Sequence, residues 1–80
     1  MSALEVLAEL DRLGISIFYR LFGLRPDPRT RIEVGLGRER AYPELLKALK
    51  ARTPEVLEVA SFEPSRHTRG VYLRRPGVVA

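Results

Sequence analysis

Cysteine is absent from these 80 residues, so disulfides, thiolate catalysis and cysteine-ligated metal sites are excluded. Histidine occurs once, as His67, which removes the usual zinc sets and the histidine-centred catalytic dyads. Tryptophan is also missing and methionine occurs once. No apolar run approaches the ~20 residues that a membrane-spanning helix requires, so no membrane partner is expected. The first ten residues carry Glu5 and Glu9 with no basic segment ahead of an apolar one. A secretory signal is therefore not expected, and a cytoplasmic location is.

What remains is the composition of one small folded unit spanning residues 1–80, with 45% hydrophobic and 30% charged residues. A chain this short buries only about 60–65% of the surface its unfolded form exposes, so its core alone leaves little margin of stability. The net charge is +4. Residues 1–24 and 41–63 are each −1, residues 25–40 are +2, and residues 64–80 are +4 with no acidic group. A basic C-terminal hairpin and tail is thus expected over 64–80. Such a segment suits nucleic acid, an acidic protein or an anionic membrane surface, and a charge this modest also fits an ordinary solvated edge.

Ser2 followed by Glu5 is a capping box, and Ala3, Val6, Leu7, Leu10 and Leu13 form one apolar stripe opposite Glu5, Glu9 and Arg12. A helix is predicted here, with Gly14 ending it in a left-handed conformation. Residues 15–24 read as a strand, residues 25–29 as a turn that two prolines impose, and residues 30–36 as its hairpin partner. Pro43 suits the first turn of a second helix, whose apolar positions are Tyr42, Leu45, Leu46 and Leu49. After Thr53-Pro54 the pattern allows a further helical turn or a strand, and a strand from about Leu57 to a stop at Pro64 is preferred. Residues 70–75 read as a last strand. The expected fold is α+β, in the order αββαββ: an antiparallel sheet of about four strands with two helices packed on one face.

The first strand departs from simple alternation. One face carries Ile15, Ile17, Tyr19 and Leu21; the other carries Ser16, Phe18, Arg20, Phe22 and Leu24. Two helices cover one side of such a sheet, so the second set needs another cover. A homodimer burying Phe18, Arg20, Phe22 and Leu24 is the leading explanation, because large apolar patches mark contact surfaces. An open platform of Phe18, Arg20 and Phe22, on which single-stranded nucleic acid stacks while arginines track its phosphates, is the alternative. The third is closure by strand twist or by Val78-Val79.

Catalytic chemistry has few candidates. Ser65 and His67 lie two apart in a loop, but no neighbouring acid orients the imidazole and no glycine-rich elbow precedes the serine. Glu5 and Glu9 sit one turn apart, where helix-terminus charges are ordinary. Gly35-Leu36-Gly37 resembles the start of a dinucleotide fingerprint, but Arg40 stands where its third glycine belongs. No cofactor, metal or enzymatic role is expected. Leu7-Ala8-Glu9-Leu10 and Leu13-Gly14-Ile15, then Arg31-Ile32-Glu33-Val34, then Pro43-Glu44-Leu45-Leu46 resemble the small docking domains at the N-termini of some bacterial synthetase subunits. The resemblance covers about the first two-thirds of the chain and implies a helix, a hairpin and a helix that mediate subunit pairing. The proline-rich turn, Thr53-Pro54 and the basic C-terminal hairpin depart from that pattern, and no family is assigned on it.

The expected function is accordingly a non-enzymatic interaction module, self-associating through its second sheet face. The alternative is a nucleic-acid binder that uses the arginines of the hairpin turns and C-terminal segment: Arg25, Arg29, Arg31, Arg66, Arg69, Arg74 and Arg75.

Overall fold

The first helix, α1 (Ala3–Leu13), forms as its sequence dictates. The Ser2 hydroxyl accepts from the Glu5 amide and the Glu5 carboxylate accepts from the Ser2 amide, each at 3.2 Å. Gly14 closes the helix at φ 70°, returning its N–H to the carbonyls of Asp11 and Leu10. Ala3, Val6, Leu7 and Leu10 are the buried stripe. A computed structural model describes residues 1–35 and 38–77. The positions Leu36, Gly37, Val78 and Val79, invoked above, lie outside the described residues.

The remaining elements are β1 (Ile17–Arg20), β2 (Ile32–Val34), the single turn α2 (Arg38–Ala41), α3 (Pro43–Ala51), α4 (Thr53–Val59), β3 (Glu63–Pro64) and β4 (Val71–Arg74). The strands make one antiparallel sheet in the order β2-β1-β4-β3, so the fold is α+β. Each hairpin pairs internally, and β1 with β4 joins them at the centre. Ile17 and Tyr19 of β1 lie beside Val34 and Ile32 of β2. These four are buried, and the three aliphatic ones share a core with Val6, Leu7 and Leu10 of α1, Leu45, Leu46 and Leu49 of α3 and Val56 of α4.

The predicted strand beginning near Leu57 is instead the helix α4, a third full helix beside the two expected. Pro54 starts an element here rather than breaking one: it occupies the first turn, where its missing N–H costs nothing, with Glu55 alongside. The Thr53 hydroxyl donates to the carbonyls of Leu49 and Lys50, bridging the end of α3 to the new helix. Val56 then reaches the core with no exposed surface. The expected strand shrinks to the two residues of β3, and Pro64 lies inside it rather than ending it. β1 is likewise four residues long, against the ten expected, and Phe22 and Leu24 fall beyond it.

The sheet's central pairing carries an unexpected charge. Arg74 faces Ile17 across the β1–β4 ladder and so points toward the helix layer, where it is 2% exposed. Its guanidinium donates to both carboxylate oxygens of Asp11 on α1, at 3.0 and 3.2 Å. The Gly77 amide adds a third hydrogen bond to Asp11 at 2.9 Å. The Arg74 hydrogen bonds hold the Asp11 carboxyl below its usual range, Gly77 adds to this, and partial burial opposes it. This cluster ties the first helix to the last strand.

Because the folded Asp11 pKa is lowered, its contribution to stability is complete above the unfolded value of about 3.9 and disappears as pH falls through the folded value. Asp11→Asn is expected to lower the urea midpoint clearly at neutral pH. The gap from wild type should narrow below about pH 4. A gap that stays constant with pH would show that Asp11 contributes through packing and not charge.

Candidate functional site

The β1–β4 register decides which surfaces come together. Arg20 at the end of β1 lies opposite Val71 at the start of β4, and the Leu21 amide donates to the Gly70 carbonyl at 2.7 Å. The loop of the first hairpin (residues 21–31) and that of the second (65–70) therefore project from the same end of the sheet. Gly70 makes the close approach, at φ 81°: a β-carbon there would sit 3.4 Å from the Leu21 carbonyl oxygen, in a conformation side chains seldom adopt.

Each loop is shaped by its own short polar residues. Asp27 accepts from the Arg29 amide at 2.8 Å, the Asp27 amide donates to the Thr30 hydroxyl, and the Thr30 amide returns to the Asp27 carbonyl. Arg31 steadies the same turn by donating to the carbonyls of Pro28 and Thr30. In the second loop the Ser65 hydroxyl accepts from the amides of His67 and Thr68. Its oxygen is thus engaged by its own turn, and His67 is exposed beside it.

This end of the sheet gathers Arg20, Arg25, Arg29, Arg31, Arg66 and Arg69, all exposed. Two acids lie among them, Glu33 and Asp27, and the carboxyl of Asp27 is held below its usual range by hydrogen bonds from the backbone and side chain of Arg29. It stays ionised and offsets Arg29. Arg20, Arg25, Arg66 and Arg69 enter none of the ion pairs among the described residues. Two arginine sets some forty residues apart in sequence thus form one field.

Two residues of the expected nucleic-acid set do not join it. Arg74 is internal, committed to Asp11, so its placement in that set is corrected. Arg75 is exposed at the opposite end of β4. Of the expected dimer residues, Phe18 and Arg20 lie on the sheet face away from the helices. Phe22 and Leu24 have left that face and stand in the first loop, 88% and 100% exposed.

The face away from the helices contains residues that strand parity had not singled out. Phe18 is flanked by Glu33 on β2 and Leu73 on β4, with Glu63 of β3 next to Leu73. Val71 follows beside Arg20. Phe18, Leu73 and Val71 are half-buried, and none of them packs against the core cluster. The opposite side of β4 offers Tyr72, stacked on Tyr19 at 5.4 Å, and Phe62 meets Tyr19 edge-on at 4.8 Å. The signal that would have found Leu73 and Val71 is their alternation with Tyr72 and Arg74. It is easily misread, because the aliphatic side of the strand is the outer one.

Elsewhere Glu9 pairs with Arg12 at 2.7 Å and Glu5 serves the Ser2 cap, so these carboxylates have separate partners. Among the described residues no three His, Asp or Glu side chains are placed to hold a metal ion. No helix among them is long and apolar enough to cross a membrane. Comparison with family models, curated proteins and solved structures finds no match to the chain.

The arginines thus divide into one structural residue and a solvated set. Arg74→Ala is expected to cost about 3 kcal/mol in urea unfolding, the range for breaking a buried pair. Arg25→Ala, Arg66→Ala and Arg69→Ala should each stay within about 0.5 kcal/mol of wild type. Equal losses across all four would contradict this division.

Proposed function

We propose that the chain is a small nucleic-acid-binding module that performs no chemistry of its own. Its contact surface is the loop end of the sheet. The observation that carries this reading is the convergence of Arg20, Arg25, Arg29 and Arg31 with Arg66 and Arg69 through the β1–β4 pairing. Planar guanidinium groups on rigid turns meet phosphate oxygens through paired hydrogen bonds, and the displaced counterions supply the affinity. Such contacts position a phosphate backbone without reading its sequence. The proposal carries a cytoplasmic location.

Fluorescence anisotropy with a labelled oligonucleotide, titrated over a range of salt, tests it. Affinity should fall with a log–log slope of about −0.7 per phosphate on a single strand and about −0.9 on a duplex. The double variant Arg25→Gln/Arg69→Gln should flatten that slope by about two contacts' worth while leaving the fold intact. Binding that is absent, or insensitive to salt, overturns the reading.

Self-association is the second reading, and Phe18, Leu73 and Val71 favour it as an apolar centre outside the core cluster. Full burial of a large apolar side chain contributes about 1.5–3 kcal/mol, and these three are already half covered. A stable interface also requires about 1,000 Å², so the flanking Arg20, Glu33 and Glu63 would have to be enclosed too. That cost places this reading second. Light scattering at micromolar concentration should then give the mass of two chains for wild type and of one for Phe18→Asp. A wild-type monomer ends this reading.

A further inference from the structure

Phe22 is the largest apolar side chain that the loop end presents to water, and its neighbours are cations. Two shallow hollows adjoin it. One, of about 320 Å³, is also lined by Arg20, Arg29, Arg31 and Glu33. The other, of about 240 Å³, is also lined by Arg25, Asp27 and Arg29. Phe22, Arg29 and Thr30 line both. Phe22 lies on a short segment between Arg20, which ends β1, and the Pro26–Thr30 turn, directly after Leu21, whose amide is hydrogen-bonded to the Gly70 carbonyl.

An aromatic ring with hollows beside it and arginines around it matches the face of an unpaired base next to its phosphates. The carboxylates tell which part of a nucleotide each hollow suits. Glu33 in the first repels phosphate and accepts hydrogen bonds from the exocyclic amino groups of bases, and in the second Asp27, hydrogen-bonded to Arg29, offsets the cation that would draw a phosphate in. The hollows therefore take bases, and the outer arginines take phosphates. A duplex offers no exposed base face to such a ring. Anionic lipid would put its headgroups against the same two carboxylates, which argues against a membrane surface here.

Resting on the nucleic-acid reading above, we propose that the protein prefers single strands, with Phe22 as the stacking post for bases that enter the hollows beside it.

The test compares wild type, Phe22→Ala and Phe22→Trp on a single-stranded oligonucleotide and on a duplex with the same number of phosphates. Wild type should bind the single strand more tightly. Phe22→Ala should lose about tenfold or more on the single strand and little on the duplex, with its salt slope unchanged. Phe22→Trp should restore binding and, as the sole tryptophan of the chain, lose fluorescence when the strand is added. Circular dichroism checks that the variants fold, as a side chain this exposed allows. Equal affinity for both nucleic acids, or an unchanged Phe22→Ala, overturns the stacking inference and leaves the arginine reading standing. Failure of wild type to bind either one overturns both. Phe22-dependent binding to phosphatidylglycerol vesicles without oligonucleotide binding also overturns both, and points to a membrane surface.

Discussion

The pairing of β1 with β4 is the contact on which the other arrangements depend. It joins two hairpins that are separate in sequence and makes both of their inner strands central. It buries Ile17 and Tyr19 between neighbours on either side, carries Arg74 under α1 to meet Asp11, and draws the loop after Arg20 against the loop before Val71. Each hairpin alone would be a two-stranded ribbon, which is marginal in water. The pairing is also the long-range step of folding, since its partners are about fifty residues apart and close a large loop.

β4 sets an aliphatic side outward and a polar side inward. Val71 and Leu73 look away from the helices, while Tyr72 and Arg74 look toward them. A shift of one residue would put the aliphatic pair inside, as hydrophobicity alone would choose. Specific partners oppose it: Tyr72 stacks on Tyr19, and Arg74 finds both oxygens of Asp11. A buried ion pair adds little net stability against an apolar replacement, but an Arg without Asp11 would be a heavy penalty. A one-residue shift would take Arg74 away from Asp11, so the pair belongs to the observed register, and that register aligns the two loops.

Signals carried within a few residues were legible in the sequence. Ser2 with Glu5 and Gly14 bounded α1, the Ile32 and Val34 alternation marked β2, and Pro43 marked the start of α3. Arg25, Arg29, Arg31, Arg66 and Arg69 stand out in the sequence, because basic loop residues need no tertiary context to be noticed. Other features needed it. Thr53-Pro54 reads equally as a break or a start until Val56 is seen in the core. Arg74 and Arg75 look alike in sequence, yet only Arg74 faces Asp11, and strand parity relative to α1 separates them. Phe22 and Leu24 continue the alternation of β1 in sequence, and nothing local shows that the ladder ends at Arg20.

The sheet's outer borders carry one further consequence. β3 forms one border with two residues, and its Ser65 neighbour directs an N–H inward to the Val71 carbonyl at 2.8 Å. By alternation the nitrogen of Pro64 faces outward, where it has no hydrogen to offer. The other border, β2, is three residues long and carries Glu33. Among the described residues neither edge offers a long run of open donors and acceptors to an incoming strand, so growth of the four-stranded sheet by strand addition is disfavoured. Copies of this chain, even at high concentration, would be poor templates for one another's edges.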